Sequence, residues 1–251
     1  KFSDERLKII FANGKSKHDS NLIGSDGPGS LVGKSSGIYG ERRFVVGVQA
    51  RVALKEEIDR ETVDFYVDKN ADGYIGWVVP ENDHIARVGV ASYQNANEHF
   101  KDLMKKMKGE ILGWQSGTIP LYNPKIETGI SNKNGNVFLV GDAATMVKAT
   151  TYGGIIPGMM AAEELSKVII RNGNASGYER AWRKRIGREL WLHLMIRKYM
   201  NKFSVADYTK LIKYVNQDKI LEIIEEHDRE YPSRLLLKIL WREPRFLRFA
   251  F

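Results

Sequence analysis

From Arg42 to Leu54 apolar and polar side chains alternate, with Phe44, Val46 and Val48 on one face, as a half-buried antiparallel strand requires. Thr62 to Asp68, Gly73 to Val79 and His84 to Ser92 are strand-like as well, with turns supplied by Asn70-Ala71-Asp72-Gly73 and Glu81-Asn82-Asp83. Strands in succession without an intervening helix predict an antiparallel sheet on one side of a mixed domain. Ahead of them, Leu7 to Ala12 reads as a strand, Asn13-Gly14 as a tight hairpin turn and Lys15 to Gly24 as the returning strand. Further on, Ala96 to Lys108 gathers Phe100, Leu103, Met104 and Met107 on one side of a helix, and Glu110 to Leu121 reads as another strand. Residues 131–136 form a turn before the apolar strand Val137 to Val140. The helix opening at Gly154 carries Ile155, Ile156, Met159, Met160, Ala162, Leu165, Val168 and Ile169, apolar on most sides, and is predicted to be buried. Beyond Gly173 the chain is helical: Ala175 to Tyr199, Val205 to Val215, Lys219 to Glu226 and Pro232 to Arg242.

Composition narrows the chemistry. At 251 residues the chain can form one large domain or two small ones around a substantial core. It has no cysteine, which excludes disulfides and thiolate metal sites, and its five histidines are scattered, so no metal site is expected. Redox chemistry would therefore need an organic cofactor or a partner. No apolar run reaches the roughly 18 residues of a membrane-spanning helix, and no signal peptide is visible. Of the net charge of +8, seven units fall in Tyr178 to Phe251, where 17 Lys and Arg face 10 Asp and Glu. A basic, amphipathic tail points to an acidic partner, whether anionic lipid, a phosphate-bearing substrate or nucleic acid; a solvated helical surface is the alternative. The final LLLKILWREPRFLRFAF mixes aromatics with arginines as interfacial helices do, and as an ordinary packed helix also would.

The candidate chemistry lies in Val137-Phe-Leu-Val-Gly-Asp-Ala-Ala-Thr-Met-Val-Lys-Ala-Thr-Thr-Tyr-Gly-Gly-Ile155. A strand delivers Gly141-Asp142 to a loop, and Gly153-Gly154 opens a helix. This places a carboxylate, able to accept from ligand hydroxyls, beside bare amides at a helix N-terminus, able to donate to an electron-rich ligand edge. Glycine at 153 and 154 permits close approach.

The segment resembles the second flavin motif of the geranylgeranyl reductase family, FAD-dependent flavoproteins of the para-hydroxybenzoate-hydroxylase-like superfamily that include digeranylgeranylglycerophospholipid reductases. The family reads G-D-A-A-G-x-V-K-P-T-T-G-G-G-I, and this chain reads G-D-A-A-T-M-V-K-A-T-T-Y-G-G-I, departing at Thr145, Ala149 and Tyr152. The resemblance implies that Gly141 and Asp142 lie at the ribityl chain of FAD, and that Gly153, Gly154 and Ile155 lie against the pyrimidine edge of the flavin ring. Gly24-Ser25-Asp26-Gly27-Pro28-Gly29-Ser30-Leu31-Val32 resembles the family's G-A-D-G-x-x-S-x-[VL] motif. It implies that Asp26 and Gly27 close over the pyrophosphate and ribose region; a surface turn capping the helix near Pro28 is the alternative. Gly73-Tyr-Ile-Gly-Trp-Val-Val-Pro80 resembles the Y-x-W-x-F-P signature at the substrate cavity, which assigns Tyr74, Trp77 and Pro80 to the substrate, with Tyr74 a candidate orienting or acid group. At strand spacing Tyr74, Gly76 and Val78 share one face, while Ile75, Trp77 and Val79 share the other. Ile119-Pro120-Leu121 and Y-E-R-x-W-R-K-x-x-G-R-E-L (Tyr178 to Leu190) also resemble family segments.

A complete member begins with a G-x-G-x-x-G turn that seats the ADP half of FAD. The chain contains none, so the ADP-binding segment is expected to be missing or on another chain, and this chain alone to hold FAD poorly. The resulting expectation is a mixed α+β and α/β protein, the C-terminal part of an FAD-binding, glutathione-reductase-like fold. Its divisions would be 1–40 as the end of the FAD-binding domain, 41–125 as an antiparallel substrate or cap domain, 126–172 as the return of the FAD-binding domain, and 173–251 as a helical region. The implied activity is saturation of carbon–carbon double bonds in geranylgeranyl chains of membrane ether lipids. An electron donor, NAD(P)H or a ferredoxin-like protein, would be required. The resemblance further implies a cytoplasmic location with peripheral membrane contact through residues such as Arg183, Lys184 and Arg185, and no nucleic acid. The alternatives are a hydroxylase-like FAD monooxygenase, or a non-catalytic flavoprotein remnant that binds lipid or nucleic acid.

Overall fold

The computed structural model describes residues 7–67, 73–228 and 230–249. The chain divides into two compact units, one comprising Lys1–Arg43, Pro120–Met195 and His227–Leu237, the other Phe44–Ile119, Ile196–Glu226 and Lys238–Phe251.

In the first unit, β1 (Leu7–Ile10) and β2 (Ser16–Asp19) form an antiparallel hairpin around Gly14, whose φ of +79° only glycine adopts readily. The predicted returning strand does not run through to Gly24. It breaks at Ser20, and β3 (Asn21–Gly24) leaves the hairpin to pair in parallel with β10 (Gly135–Leu139). A second correction concerns residues 131–136. Gly129–Asn132 is β9, antiparallel to β10, so only the tip of that polar stretch is a turn. The sheet order is β3-β10-β9. β3 is followed in the chain by α1 (Leu31–Ser35), capped by Ser30.

After β10 come α3 (Ile155–Ile170) and α4 (Ala175–Trp182), which runs through a π-helical turn at Arg183–Gly187 into α5 (Arg188–Met200). Val137, Phe138, Leu139, Leu165, Tyr178, Trp182 and Leu190 form the core. Tyr178 donates its hydroxyl to the Leu139 carbonyl at 3.0 Å, and Trp182 Nε1 donates to Thr128 Oγ1 at 2.8 Å, so both aromatics bury their bodies without orphaning their polar tips. The expectation that α3 is buried on most sides is overturned. Pro157, Ala161 and Leu165 face the core, but Ile155 and Ile170 are 79% and 80% exposed. Apolar content alone does not reveal how many faces of a helix are covered.

In the second unit, β4 (Phe44–Leu54), β5 (Asp64–Tyr66), β6 (Ile75–Pro80), β7 (Ile85–Ser92) and β8 (Gly109–Pro120) form a sheet of order β5-β6-β7-β4-β8. The expected turn at residues 70–73 lies mostly outside the described residues. On one face, Val48, Ala50, Val52, Val78, Val88 and Val90 pack against Phe100 and Leu103 of α2 (Ala96–Met107), the amphipathic helix read from its spacing. The helices α6 (Val205–Val215) and α7 (Asp218–Glu226) belong to this unit, while α8 (Pro232–Arg242) begins in the first unit and ends in the second. Among the described residues no helix is long and apolar enough to cross a membrane.

Candidate functional site

Parallel pairing of β3 with β10 sets Gly24 beside Leu139, and Val140 N–H continues the ladder onto the Gly24 carbonyl at 3.0 Å. A Cβ at Gly24 would sit 2.7 Å from Leu139 Cδ2, so the two strands close only around a glycine. Both motif loops therefore leave the carboxyl ends of adjacent parallel strands, the edge at which open α/β sheets collect ligands.

In the first loop Asp26 Oδ1 accepts from Ser30 Oγ at 2.7 Å and Oδ2 accepts from the Val32 N–H at 3.0 Å. Burial alone would raise this carboxyl. The hydrogen bonds from Ser30, Val32 and neighbouring amides outweigh it and hold the group below its ordinary value. Asp26 thus does cap α1, and the turn it fixes holds Gly27 at φ +76° with open space where a side chain would stand.

The second loop is a 3₁₀ turn, Gly141–Ala144, entered at Gly141 with φ +65°. Asp142 behaves unlike Asp26. Its carboxylate is half-buried, meets no hydrogen-bond donor among the described residues, and is raised above its ordinary value by burial. It lies against Gly154, where a Cβ would come within 2.6 Å of Oδ1 and 3.1 Å of Val147 Cγ2. Gly154 is the N-cap of α3, and the N–H groups of Ile155 and Ile156 in its first turn have no intrahelical acceptor. Pro157 follows, where a missing N–H costs nothing. A second glycine contact, Gly158 against Gly141 Cα, lets the first turn of α3 approach the loop. Thr145 and Tyr152, at two of the positions where the family motif has glycine, stand at φ +58° and +57°. The left-handed backbone explains glycine there. The non-glycine residues cost of order 1–2 kcal/mol each, and the buried Thr145 hydroxyl accepts from the Asn123 N–H at 3.1 Å.

Sequence reading missed Arg42. Its Nη1 donates to the Pro28 carbonyl at 3.3 Å, its Nη2 to the Ala143 carbonyl at 2.8 Å and its Nε to the Tyr39 carbonyl at 2.8 Å, with the guanidinium 3.9 Å from the centre of the Tyr39 ring. One side chain thus ties the Asp26-Gly27 loop to the Gly141-Asp142 loop. Replacing it by Met should cost about 2–3 kcal/mol, since hydrogen bonds to a charged group are lost and a buried carbonyl is left bare. Hydrogen exchange of the Gly141–Ala144 amides reads this directly, and rates equal to the parent's would remove Arg42 from that role.

The substrate-side residues belong to the other unit. Tyr74, at the entry to β6, packs in the core beneath α2, edge-on to His99 with ring centres 5.2 Å apart. Trp77 lies on the opposite face of β6. Its indole covers Gly89, its partner in register on β7, where a Cβ would meet the ring at 2.4 Å. Trp77 Nε1 donates to Gln49 Oε1 at 2.8 Å, Gln49 donates to Gln115, and Arg87 also reaches Gln115, so a polar track crosses that face. Arg51 and Arg87 stand directly opposite one another, a repulsive pairing that Glu81 relieves by accepting from both at 2.6 and 2.5 Å. Pro80 ends β6 opposite Ala86.

Of the basic residues expected to meet lipid, Arg183 pairs with Glu179 and donates to the Ile126 carbonyl, and Arg185 pairs with Glu163 and Glu164. Both are committed within the chain.

No family model matches the chain. It is 27% identical over 239 residues to digeranylgeranylglycerophospholipid reductase of Methanothrix thermoacetophila, covering 88% of this chain and 60% of the relative. It is 28% identical over 247 residues to digeranylgeranylglycerophospholipid reductase 2 of Methanothermobacter thermautotrophicus, covering 90% and 60%. Among solved structures, the geranylgeranyl bacteriochlorophyll reductase-like protein of Thermoplasma acidophilum superposes with a TM-score of 0.69 at 22% identity, over 97% of this chain and 67% of that one. The chain is therefore similar, in sequence and in fold, to proteins named as geranylgeranyl-type reductases. A structure of Klebsiella pneumoniae HpxO complexed with FAD and uric acid matches at TM-score 0.54 and 18% identity, over 96% and 64%. The fold is accordingly the mixed α/β and α+β fold of FAD-dependent flavoproteins, with an antiparallel sheet and a helical C-terminal region. The chain spans about three-fifths of the length of the family relatives it matches.

Proposed function

We propose that this chain forms the flavin-facing and substrate-facing part of an FAD-dependent reductase that saturates double bonds in geranylgeranyl chains of ether lipids. One observation carries the reading. The half-buried Asp142 carboxylate has no protein donor among the described residues and lies against a glycine that a side chain would fill, at the free N-terminus of α3. A polyhydroxylated ligand chain supplies the donors that Asp142 lacks, and the first amides of α3 suit an electron-rich ring edge. FAD has both features, so the residues fit the group.

In this reading Asp142 accepts from the ribityl hydroxyls, Gly153, Gly154 and Ile155 present amides to the pyrimidine edge, and Gly141 gives the turn its shape. Asp26 and Gly27, fixed by Ser30 and Val32, border the pyrophosphate and ribose region. When bound and reduced, FAD supplies a hydride to an alkene carbon. The chain's own share is to orient the prenyl chain, with Trp77 and Pro80 along its path; Tyr74, on the opposite face of β6, remains the candidate acid or orienting group. Support for the substrate class comes from the relatives named as digeranylgeranylglycerophospholipid reductases. Peripheral membrane contact is part of the proposal. Its better-placed residues are on α8, where Leu237 and the 84% exposed Trp241 accompany the exposed Arg234, Lys238 and Arg242.

The test is an anaerobic assay of the chain, alone and co-expressed with the ADP-binding segment of a family member. It uses FAD, a chemical reductant and a digeranylgeranylglycerophospholipid. The expected product gains a pair of hydrogens for each double bond lost. Product that forms only with oxygen, carrying an oxygen atom, would establish a monooxygenase instead.

A further inference from the structure

A buried polar cluster lies behind the glycine-rich loop. His193 on α5 is 93% buried, and its Nδ1 is 2.7 Å from Thr150 Oγ1, in the loop between the Gly141-Asp142 turn and α3. Its other nitrogen, Nε2, is buried and meets no donor or acceptor among the described residues. In the same loop Lys148 pairs with Glu230 at 2.5 Å, both side chains largely buried. Glu189, one helical turn before His193, accepts from Ser233 N–H at 2.9 Å and Ser233 Oγ at 2.6 Å. Helix α5 and residues 230–233 thus hold the loop from one side.

Neither a buried ion pair nor a buried ring nitrogen without a partner stabilises a fold by itself. A leucine would fill the place of His193 without burying an unpartnered ring nitrogen. What leucine would lack is the bond to Thr150. That bond joins α5 to a loop whose own backbone bonds run from Lys148 N–H to the Gly153 carbonyl at 3.0 Å, and from Tyr152 and Thr151 N–H to the Lys148 carbonyl at 2.8 and 3.3 Å. The same loop holds Tyr152 in left-handed backbone, a conformation that its surroundings must impose. Burial, with the Lys148 charge nearby, pushes the imidazole down to about 4, so the ring is neutral under ordinary conditions and can serve Thr150 as acceptor or donor according to its tautomer.

We propose that His193 is a positioning residue for the cofactor loop: through the Thr150 hydroxyl it fixes the backbone of Lys148 to Gly154, and so the place from which Gly153 to Ile155 present their amides. The proposal rests on the flavin reading of that loop for its purpose, but its geometry is tested without flavin.

Hydrogen exchange of the Lys148, Thr151 and Tyr152 amides in the cofactor-free chain reads opening of the loop. His193→Leu and Thr150→Val should each raise those rates about two- to tenfold, the yield of one net hydrogen bond, and the double variant should be no faster than either. His193→Asn, which keeps a polar atom near the Nδ1 position, and Thr150→Ser, which keeps the hydroxyl, should stay close to the parent. FAD titrations of the same variants should rank in the same order. Unchanged loop exchange in His193→Leu, or effects of the two substitutions that multiply, would overturn the proposal. So would loop opening that leaves FAD affinity intact. If the parent binds no FAD, the exchange pattern still decides the His193–Thr150 contact, and the failure belongs to the flavin reading alone.

Discussion

Trp182→Ala should cost the first unit about 3–5 kcal/mol, the usual result of truncating a fully buried large aromatic. Trp182 is 1% exposed, and no larger side chain is so completely buried among the described residues. Its loss removes packing around Tyr178, Ile186 and Leu190 and leaves the buried Thr128 hydroxyl without the indole N–H. The damage should reach the candidate site, because Leu139 N–H donates to the Thr128 carbonyl at 2.8 Å and β10 delivers Gly141 and Asp142. Trp182→Phe keeps most of the volume and should lose only about 1–3 kcal/mol, from the unpaired hydroxyl and the smaller ring. Denaturant melts of the two variants test the ordering. A Trp182→Ala midpoint within about 1 kcal/mol of the parent would mean that the core does not depend on this residue.

Gly154→Ala should act on binding and leave the fold almost intact. The added methyl would come within 2.6 Å of Asp142 Oδ1. Oδ1 is the end of a rotatable side chain, so the carboxylate yields, and alanine at the N-cap costs at most about 1–2 kcal/mol. Displacing the carboxylate removes a charge-assisted hydrogen bond to the ligand, worth about 1.5–3 kcal/mol, or roughly 10- to 150-fold in FAD affinity. Circular dichroism and the melting midpoint should change little while the dissociation constant for FAD rises. Equal affinity would separate Asp142 from the ligand.

How much of this was legible in the sequence differs by element. The antiparallel sheet and α2 were, because period-2 spacing survives in Val48 to Leu54 and helical spacing in Phe100, Leu103 and Met107; at the start of β4 the expected face is lost, with Val45 buried and Val46 exposed. The Gly141-Asp142 turn and the Gly153-Gly154 helix start were, because Gly141 takes a positive φ and Gly154 leaves no room for a side chain beside Asp142. The break at Ser20 was not: nothing in His18-Asp19-Ser20 distinguishes a strand that continues from one that changes sheets. Strand β9 was hidden because Ser131 and Asn132 are polar, and its pairing depends on β10 rather than on its own propensity. Arg42 and the His193–Thr150 contact were illegible for another reason. They join residues 101 and 43 positions apart, and only the folded chain sets them together.

The most direct measurement is a titration of the chain with FAD, followed by quenching of flavin fluorescence, beside Asp142→Ala and Asp142→Asn. The account predicts weak but saturable binding by the parent and at least about tenfold weaker binding by both variants, each still folded. Binding that is unaffected by losing the Asp142 carboxylate, or no saturable binding by the parent, would contradict it.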